Sequence, residues 1–200
     1  MKFINISGVP MAGKSTTGKM LVKKLNELGQ KAVFIEVDDL ILDSEKHGKN
    51  LQEKVEIKRN RLLEQLKQHK KDKDCSVVVF ACLMDTKLSD TCKKLCGKED
   101  DFISISLVPK LEVLISKRGQ RTPTPEIIKL ITKMYNEWGF SKPKTADLII
   151  DNTRITLEQS AEQIMDFIQT GKKKSFEKAS NNVKNKNVLQ RIWNSLFQKE

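Results

Sequence analysis

The feature that most constrains the fold of this chain is the alternation of short apolar runs with longer amphipathic segments. Five runs of strand length recur along the 200 residues, and stretches with helical spacing of apolar side chains separate them. Parallel strands need long crossover connections, which are usually helices. The order therefore predicts an α/β fold of three layers, with a five-stranded parallel sheet and helices on both faces.

The sequence also indicates where these elements begin and end. The predicted strands are residues 3–7, 32–37, 76–81, 102–108 and 147–151. The predicted helices are residues 14–28, 51–69, 87–95, 110–117, 126–137 and 157–168. Thr124 before Pro125 is typical of a helix cap followed by the first helical position. We expect one domain over residues 1–170 and an extension over residues 171–200.

Composition excludes several classes of protein. No apolar run approaches the ~20 residues of a membrane-spanning helix, and the start of the chain is typical of a strand rather than a signal peptide. The four cysteines (Cys75, Cys82, Cys92 and Cys96) form no C-x-x-C pair and have no histidine nearby in sequence. We therefore expect buried thiols in a reducing, cytoplasmic compartment rather than a zinc site.

A glycine-rich segment joins the first predicted strand to the first predicted helix. It fits the pattern G-x-x-x-x-G-K-[ST], whose backbone N–H groups surround phosphate oxygens at a helix N-terminus. In this pattern the lysine reaches the β- and γ-phosphates and the hydroxyl of the next residue binds Mg²⁺. The predicted nucleotide-binding residues here are Gly8, Val9, Pro10, Met11, Ala12, Gly13, Lys14, Ser15 and Thr16.

The rest of the chain narrows the class of nucleotide-binding protein. A GTPase normally carries N-K-x-D to bind guanine, whereas residues 185–188 read N-K-N-V and lie near the C-terminus. The 200 residues also hold no second half of the kind that motor or transporter ATPases carry. A compact kinase that uses ATP and Mg²⁺ is the simplest remaining class.

Two carboxylates follow the second predicted strand. Asp38 and Asp39 would lie at the carboxyl edge of the sheet, where open α/β sheets bind their ligands. A carboxylate there can accept the proton of an attacking hydroxyl or help to hold Mg²⁺. We favour Asp38 as the base and metal ligand, with both residues beside the substrate. The alternative is that Asp39 caps the next helix and Asp38 faces water.

Arginines supply candidate phosphate and substrate contacts. Arg118 and Arg121 follow the helix after the fourth strand, beside Gly119 and two prolines, and would lie on a short lid over the transferring phosphoryl group. An exposed basic helix end is the alternative. Arg59 and Arg61, on the long helix, point to different faces. Either could hold an anionic substrate, and a solvated face is the alternative.

Together these segments resemble the small P-loop kinases of the chloramphenicol phosphotransferase type. More distantly, they are similar to polynucleotide kinase, gluconate kinase and adenylylsulfate kinase. The resemblance covers residues 2–168 and implies that Asp38 is the base and that Arg118 and Arg121 contact phosphates. It also implies that the loop after the last strand borders the adenine. The residues concerned in that loop are Asn152, Thr153 and Arg154.

The chain departs from these relatives at two positions. They often carry an acidic residue near the end of the third strand, whereas residues 80–84 read F-A-C-L-M. Polynucleotide kinases carry an arginine three residues after the base, where this chain has Ile41. The second departure disfavours a nucleic-acid end as the acceptor.

The charge of the chain is concentrated in its tail. Residues 171–200 hold eight Lys or Arg against two Glu, which is more than half of the net +11. The modest charge of the remainder disfavours nucleic acid as a partner. Apolar residues from Val188 to Phe197 follow helical spacing and form one stripe. This helix, within residues 187–199, would dock on the core, bind a protein groove or second subunit, or lie on an anionic membrane.

The sequence thus predicts a kinase that transfers the γ-phosphoryl group of ATP to a hydroxyl of a small molecule. One alternative is a nucleotide-binding switch or adaptor recruited through the tail. Another is a kinase of nucleoside or polynucleotide 5′-hydroxyls. The sequence does not indicate the oligomeric state.

Overall fold

The structure, a computed structural model, describes residues 1–117 and 121–171. Arg118 and the predicted tail helix at residues 187–199 lie outside these residues. The five strands are β1 (Lys2–Ser7), β2 (Ala32–Glu36), β3 (Val77–Ala81), β4 (Asp101–Leu107) and β5 (Leu148–Ile150). The helices are α1 (Lys14–Glu27), α2 (Asp43–Lys46), α3 (Leu51–Lys71), α4 (Thr86–Cys96), α5 (Leu111–Leu114), α6 (Pro125–Asn136) and α7 (Leu157–Thr170), and Val37–Leu40 forms a 3-10 turn.

The strands form one parallel sheet in the order β2-β3-β1-β4-β5. β1 is central, with Ile4 paired opposite Val79 of β3 and Ile103 of β4. The chain runs from β1 outward to β2 and later returns to the other side of β1 with β4. Such a reversal of strand order leaves a crevice at the carboxyl ends of the central strands. The predicted α/β fold with a five-stranded parallel sheet is confirmed.

The core lies in two layers, one on each face of the sheet. Alternate strand residues point to opposite faces, so Ile4 and Phe3 belong to different clusters. The first cluster contains residues of α1, α6 and α7, and the second contains residues of α3 and α4. β3 is buried along its whole length, because helices cover both of its faces, as its apolar composition predicts.

Side-chain caps fix where several helices begin. The Oγ1 of Thr124 accepts a hydrogen bond from the backbone of Ile127, and Pro125 takes the first helical position as expected. Asp85 caps α4 through a 2.8 Å bond from the Leu88 N–H. A cap satisfies backbone donors that a helix leaves unpaired in its first turn.

Apart from α5, the predicted elements begin and end within two residues of their predicted boundaries, and the short helix α2 was not predicted. Helix α5 ends at Leu114, although the sequence predicts a helix as far as residue 117. The hydroxyl of Ser116 donates to the Val113 carbonyl at 2.9 Å, a local bond that competes with continued helix. β2 ends at Glu36, because Val37 begins the 3-10 turn, which the sequence analysis did not anticipate.

The four cysteines are free and buried. Burial raises the pKa of the Cys92 thiol to about 12 and that of the Cys96 thiol to about 11. Residues 1–117 and 121–171 contain no cluster of three His, Cys, Asp or Glu that could hold a metal ion. The thiols therefore act as small apolar groups of the core.

We expect the second cluster to depend strongly on α3. Leu62→Ala removes a side chain that is 0% exposed and should lower the free energy of unfolding by about 2–5 kcal/mol, because its neighbours only partly fill the cavity. Urea denaturation measures the change. Leu28→Ala is the matched control, since Leu28 is 60% exposed. Equal losses in the two variants would contradict the placement of α3 against the sheet.

Candidate active site

The loop between β1 and α1 adopts a tight backbone. Gly8, Met11 and Gly13 all have positive φ angles, of 152°, 69° and 92°. A Cβ on Gly8 would lie 2.8 Å from the carbonyl oxygen of Leu107, at the end of β4. Only glycine therefore fits between the loop and β4. This curvature forms a concave backbone of the kind that binds anions.

A buried amide supports the loop from the side of β5. Asn152 is 0% exposed and donates from Nδ2 to the carbonyl oxygen of Ala12 at 2.9 Å. Leu157, the first residue of α7, packs close to Gly13, where a Cβ would lie 2.8 Å from its Cδ2 atom. The residue predicted to border the adenine thus contacts the glycine-rich loop.

Lys14 is the first residue of α1, and its charge is directed into the loop. Its Nζ donates to the Val9 carbonyl at 3.1 Å. Burial lowers the pKa of Lys14, with Asp38 opposing the shift and Arg121 adding to it. The first turn of α1 carries no acidic residue, so the positive end of the helix dipole is not neutralised there. The site therefore gains by binding a negative group.

The two carboxylates after β2 lie on the 3-10 turn. Asp38 is 83% exposed at its side chain and accepts a 2.6 Å hydrogen bond from the Nζ of Lys58 on α3. Asp39 is exposed. Since α2 begins only at Asp43, Asp39 is not its cap. Asp38 is also close enough to Lys14 for its charge to oppose the lowering of the lysine pKa.

The end of β3 brings a thiol to the same cleft. Burial raises the pKa of Cys82 to about 11, while Arg59 and Lys14 oppose the shift and Asp85 and Asp38 add to it. All four charged side chains are therefore neighbours of this thiol. An uncharged group lies where the related kinases often carry an acid.

Asp85 has two structural contacts. Its Oδ2 forms an ion pair with Arg59, and its Oδ1 caps α4. Arg61 instead binds Glu45 at 2.5 and 2.6 Å and the Leu40 carbonyl at 2.8 Å. As the spacing predicts, the two arginines point in different directions, and it is Arg59 that borders the cleft.

The remaining predicted residues that the structure describes are Arg121, which was predicted to lie on a lid, and residues of α1 and of the loop after β5. Arg121 is exposed, yet its charge is close enough to Lys14 to lower the pKa of that lysine. The hydroxyl of Thr153 accepts from the Lys110 N–H at 2.8 Å and donates to Asp151 at 2.5 Å. Arg154 is exposed. Ser15 and Thr16 occupy the first turn of α1, with Ser15 half-buried.

Sequence reasoning missed Lys58, which forms an ion pair with Asp38. The sequence carried a signal for it, because Lys58 lies four residues before Leu62 and so shares its buried face of α3. A lysine on an otherwise apolar face usually meets an acidic partner or a carbonyl. In this chain the partner is the carboxylate that we favour as the base.

We expect Asn152→Ala to weaken nucleotide binding as well as the fold. The change leaves the buried Ala12 carbonyl without its donor, at a cost of about 1–3 kcal/mol. It also frees the loop to leave its binding conformation. Thermal melts and nucleotide titrations measure the two effects. Asn152→Asp keeps the size but loses the donor, so wild-type affinity in that variant would contradict this role.

Nucleotide binding should be coupled to proton uptake by Lys14. The folded protein holds the pKa of Lys14 below 10.5, and bound phosphates would raise it. Affinity should therefore fall as the pH rises through the lowered pKa. Calorimetry at about pH 9.5, in buffers of different ionisation enthalpy, should show uptake. Lys14→Arg stays protonated and should show none. If the heat of nucleotide binding to the wild type did not change with the buffer, the coupling of binding to proton uptake would be contradicted.

Within residues 1–117 and 121–171, no helix combines the length and apolar character needed to cross a bilayer.

Residues 1–81 match the family model described as chromatin associated protein KTI12. No curated protein sequence matches the chain.

Several solved structures are similar to the chain. The Mycobacterium tuberculosis APS kinase in complex with AMPPNP and APS is 18% identical, with a TM-score of 0.58 over 84% of this chain and 98% of that kinase. Shikimate kinase from Aquifex aeolicus is 18% identical, with a TM-score of 0.59 over 86% and 98%. The Deinococcus radiodurans tunicamycin resistance protein is 16% identical, with a TM-score of 0.56 over 84% and 95%. At these identities the similarity establishes the fold alone, an α/β fold that the chain shares with these proteins, and it does not single out the chloramphenicol phosphotransferase type.

Proposed function

We propose that the chain is an ATP-dependent kinase that phosphorylates a hydroxyl group of a small molecule. The observation that carries this proposal is the tightly curved loop of residues 8–13 with Lys14 directed into it by its bond to the Val9 carbonyl, and Asp38 and Arg121 are close enough to shift the pKa of that lysine. A cation for the phosphates, a candidate base and a further cation are the groups that phosphoryl transfer requires.

The phosphate side of the cleft would work mainly by electrostatics. The concave backbone of residues 8–13 would bind phosphate oxygens through its N–H groups. Lys14 would leave the Val9 carbonyl and bind the β- and γ-phosphates. Arg121, with Arg118 on the same lid segment, would neutralise charge that develops on the transferring group. Asn152 would hold the loop, with Thr153 and Arg154 near the adenine.

On the acceptor side, Asp38 would act as the base. The hydroxyl oxygen of the acceptor attacks the γ-phosphorus as its proton passes to the carboxylate of Asp38. The bond from that phosphorus to the β–γ bridging oxygen breaks, and ADP leaves with the bonding electrons. Lys58 would orient the Asp38 carboxylate through their ion pair. Arg59 and Asp39 would contact the substrate.

The donor atoms at this edge fit magnesium. The hydroxyl of Ser15 and the carboxylate of Asp38 are oxygen ligands of the kind that Mg²⁺ prefers, with phosphates and waters completing the shell. When bound, Mg²⁺ neutralises phosphate charge. The nearby Cys82 thiol, with its pKa of about 11, stays protonated at neutral pH and is not an oxygen ligand.

A screen of hydroxyl compounds for acceptor-dependent ADP release tests the proposal. With the acceptor so found, Lys14→Ala and Asp38→Asn should each lower kcat/KM by at least about 100-fold, since each removes a group that acts in the transition state. Asp90→Asn, an exposed position on α4, is the control and should match the wild type.

Two results would count against this function. Full turnover by Asp38→Asn would contradict the assignment of Asp38 as the base. Nucleotide binding without acceptor-dependent ADP release, across phosphorylated, carboxylated and neutral alcohols, would reject the kinase itself.

A second candidate function is a nucleotide-controlled adaptor. The observation that favours it is the match of residues 1–81 to a family described by its association with chromatin rather than by a reaction. Residues 171–200 would then be a separate basic extension that docks on the core, a protein or an anionic membrane. An adaptor should change its partner or vesicle binding between nucleotide states, with no effect of any acceptor.

A further inference from the structure

A groove separates the C-terminal halves of α3 and α4, away from the cleft described above. Its volume is about 670 Å³, and both helices contribute to its walls. Both helices end just before a strand begins, α3 before β3 and α4 before β4. The groove therefore lies toward the amino edge of the parallel sheet, opposite the phosphate-binding loop. The lining residues are Leu63, Lys67, Lys70, Lys71, Thr91, Lys94 and Leu95.

Lys70 fixes one side of this groove and is not available to a partner. Its Nζ donates to the carbonyl oxygens of Leu95 and Cys96, both at 2.8 Å, and pairs with Asp100 at 3.1 Å. Asp100 also binds the amino group of Met1. These contacts neutralise the C-terminal end of α4 and hold the two helices at a set distance.

Three further lysines on the rim carry uncompensated charge. Lys67, Lys71 and Lys94 are exposed, and none has an acidic partner within residues 1–117 and 121–171. Between them lie Leu63 and Leu95, which are half-buried. The groove therefore combines a positive rim with an aliphatic floor.

We propose that this groove binds an acidic amphipathic helix of a partner protein. The segment from Leu63 to Lys71 extends about 12 Å along α3, which matches about two turns of a partner helix. Aliphatic side chains at i and i+4 would cover Leu63 and Leu95. Asp or Glu on the flanks of that helix would pair with Lys67, Lys71 and Lys94.

The lining favours a helix over other anionic partners. Nucleic acids gain from arginine forks on phosphates and from aromatic faces on which bases stack, and the lining contains neither. An anionic membrane surface is flat at this scale and would not reach the floor between two helices. The basic C-terminal tail of this chain, eight Lys or Arg against two Glu, has the same charge as the rim.

A displayed library of helical peptides, selected on the full chain, tests the proposal. Counter-selection uses the triple variant Lys67→Glu/Lys71→Glu/Lys94→Glu, and peptides that bind this variant are removed. Enriched peptides should carry acidic residues beside aliphatic pairs at i and i+4. Fluorescence anisotropy of a synthesised winner should show at least about tenfold weaker binding to this triple variant, a loss of roughly 1.4 kcal/mol. Leu63→Ser should also weaken binding.

The matched control is Lys19→Glu/Lys129→Glu/Lys142→Glu, which changes net charge equally at exposed positions on other parts of the surface. It should bind the peptide like the wild type, and thermal melts check that both triple variants fold. Equal losses in the two triple variants would overturn the proposal, as would failure to enrich any peptide. Tight binding of an oligonucleotide, unchanged by Leu63→Ser, would overturn the choice of a protein partner.

Discussion

The close approach of the Gly8 backbone to the end of β4 is the contact on which the rest of the site depends. A side chain there would collide with the Leu107 carbonyl, so the loop lies directly on the sheet and turns sharply into α1. This turn places Lys14 at the start of the helix and directs the helix dipole into the loop. Asn152, in the loop after β5, then supports the glycine-rich loop through its bond to the Ala12 carbonyl. Each group is ordinary alone, and their joint placement follows from one tight packing contact.

Much of this arrangement could be predicted from local sequence. The strands and the fold followed from apolar runs, since burial on both faces requires them, as in β3. The start of α6 followed from Thr124 and Pro125, whose preferences act over three residues. The glycine-rich loop was evident because its backbone geometry demands particular residues.

Other features could not be predicted, because they depend on residues distant in sequence. Lys58 meets Asp38 across 20 positions, and Asn152 meets Ala12 across 140. No local sequence pattern identifies the two partners of either pair. The 3-10 turn at residues 37–40 carries no glycine or proline to mark it, and the early end of α5 coincides with a local bond from the Ser116 hydroxyl to the Val113 carbonyl. Local patterns therefore predict elements well, whereas side-chain partners require the fold.

Helix α3 links the two functional proposals. In its first half, Lys58 and Arg59 pair with Asp38 and Asp85, and near its end Lys67 and Lys71 line the groove beside α4. Its middle is anchored in the core by Leu62. A partner in the groove and a substrate in the cleft would thus bind at two different places along one helix, whose 21 residues extend over about 30 Å.

The buried thiol at the end of β3 has a consequence for the order in which ligands bind. A carboxylate at that position would give a divalent cation a second protein anion before any nucleotide arrives. Cys82, neutral because burial raises its pKa to about 11, gives none. Under the proposed function, a metal ion entering the cleft would meet Asp38, which already pairs with Lys58. The cation would therefore gain most of its binding energy from phosphate oxygens, and the proposed kinase would take up its metal together with the nucleotide.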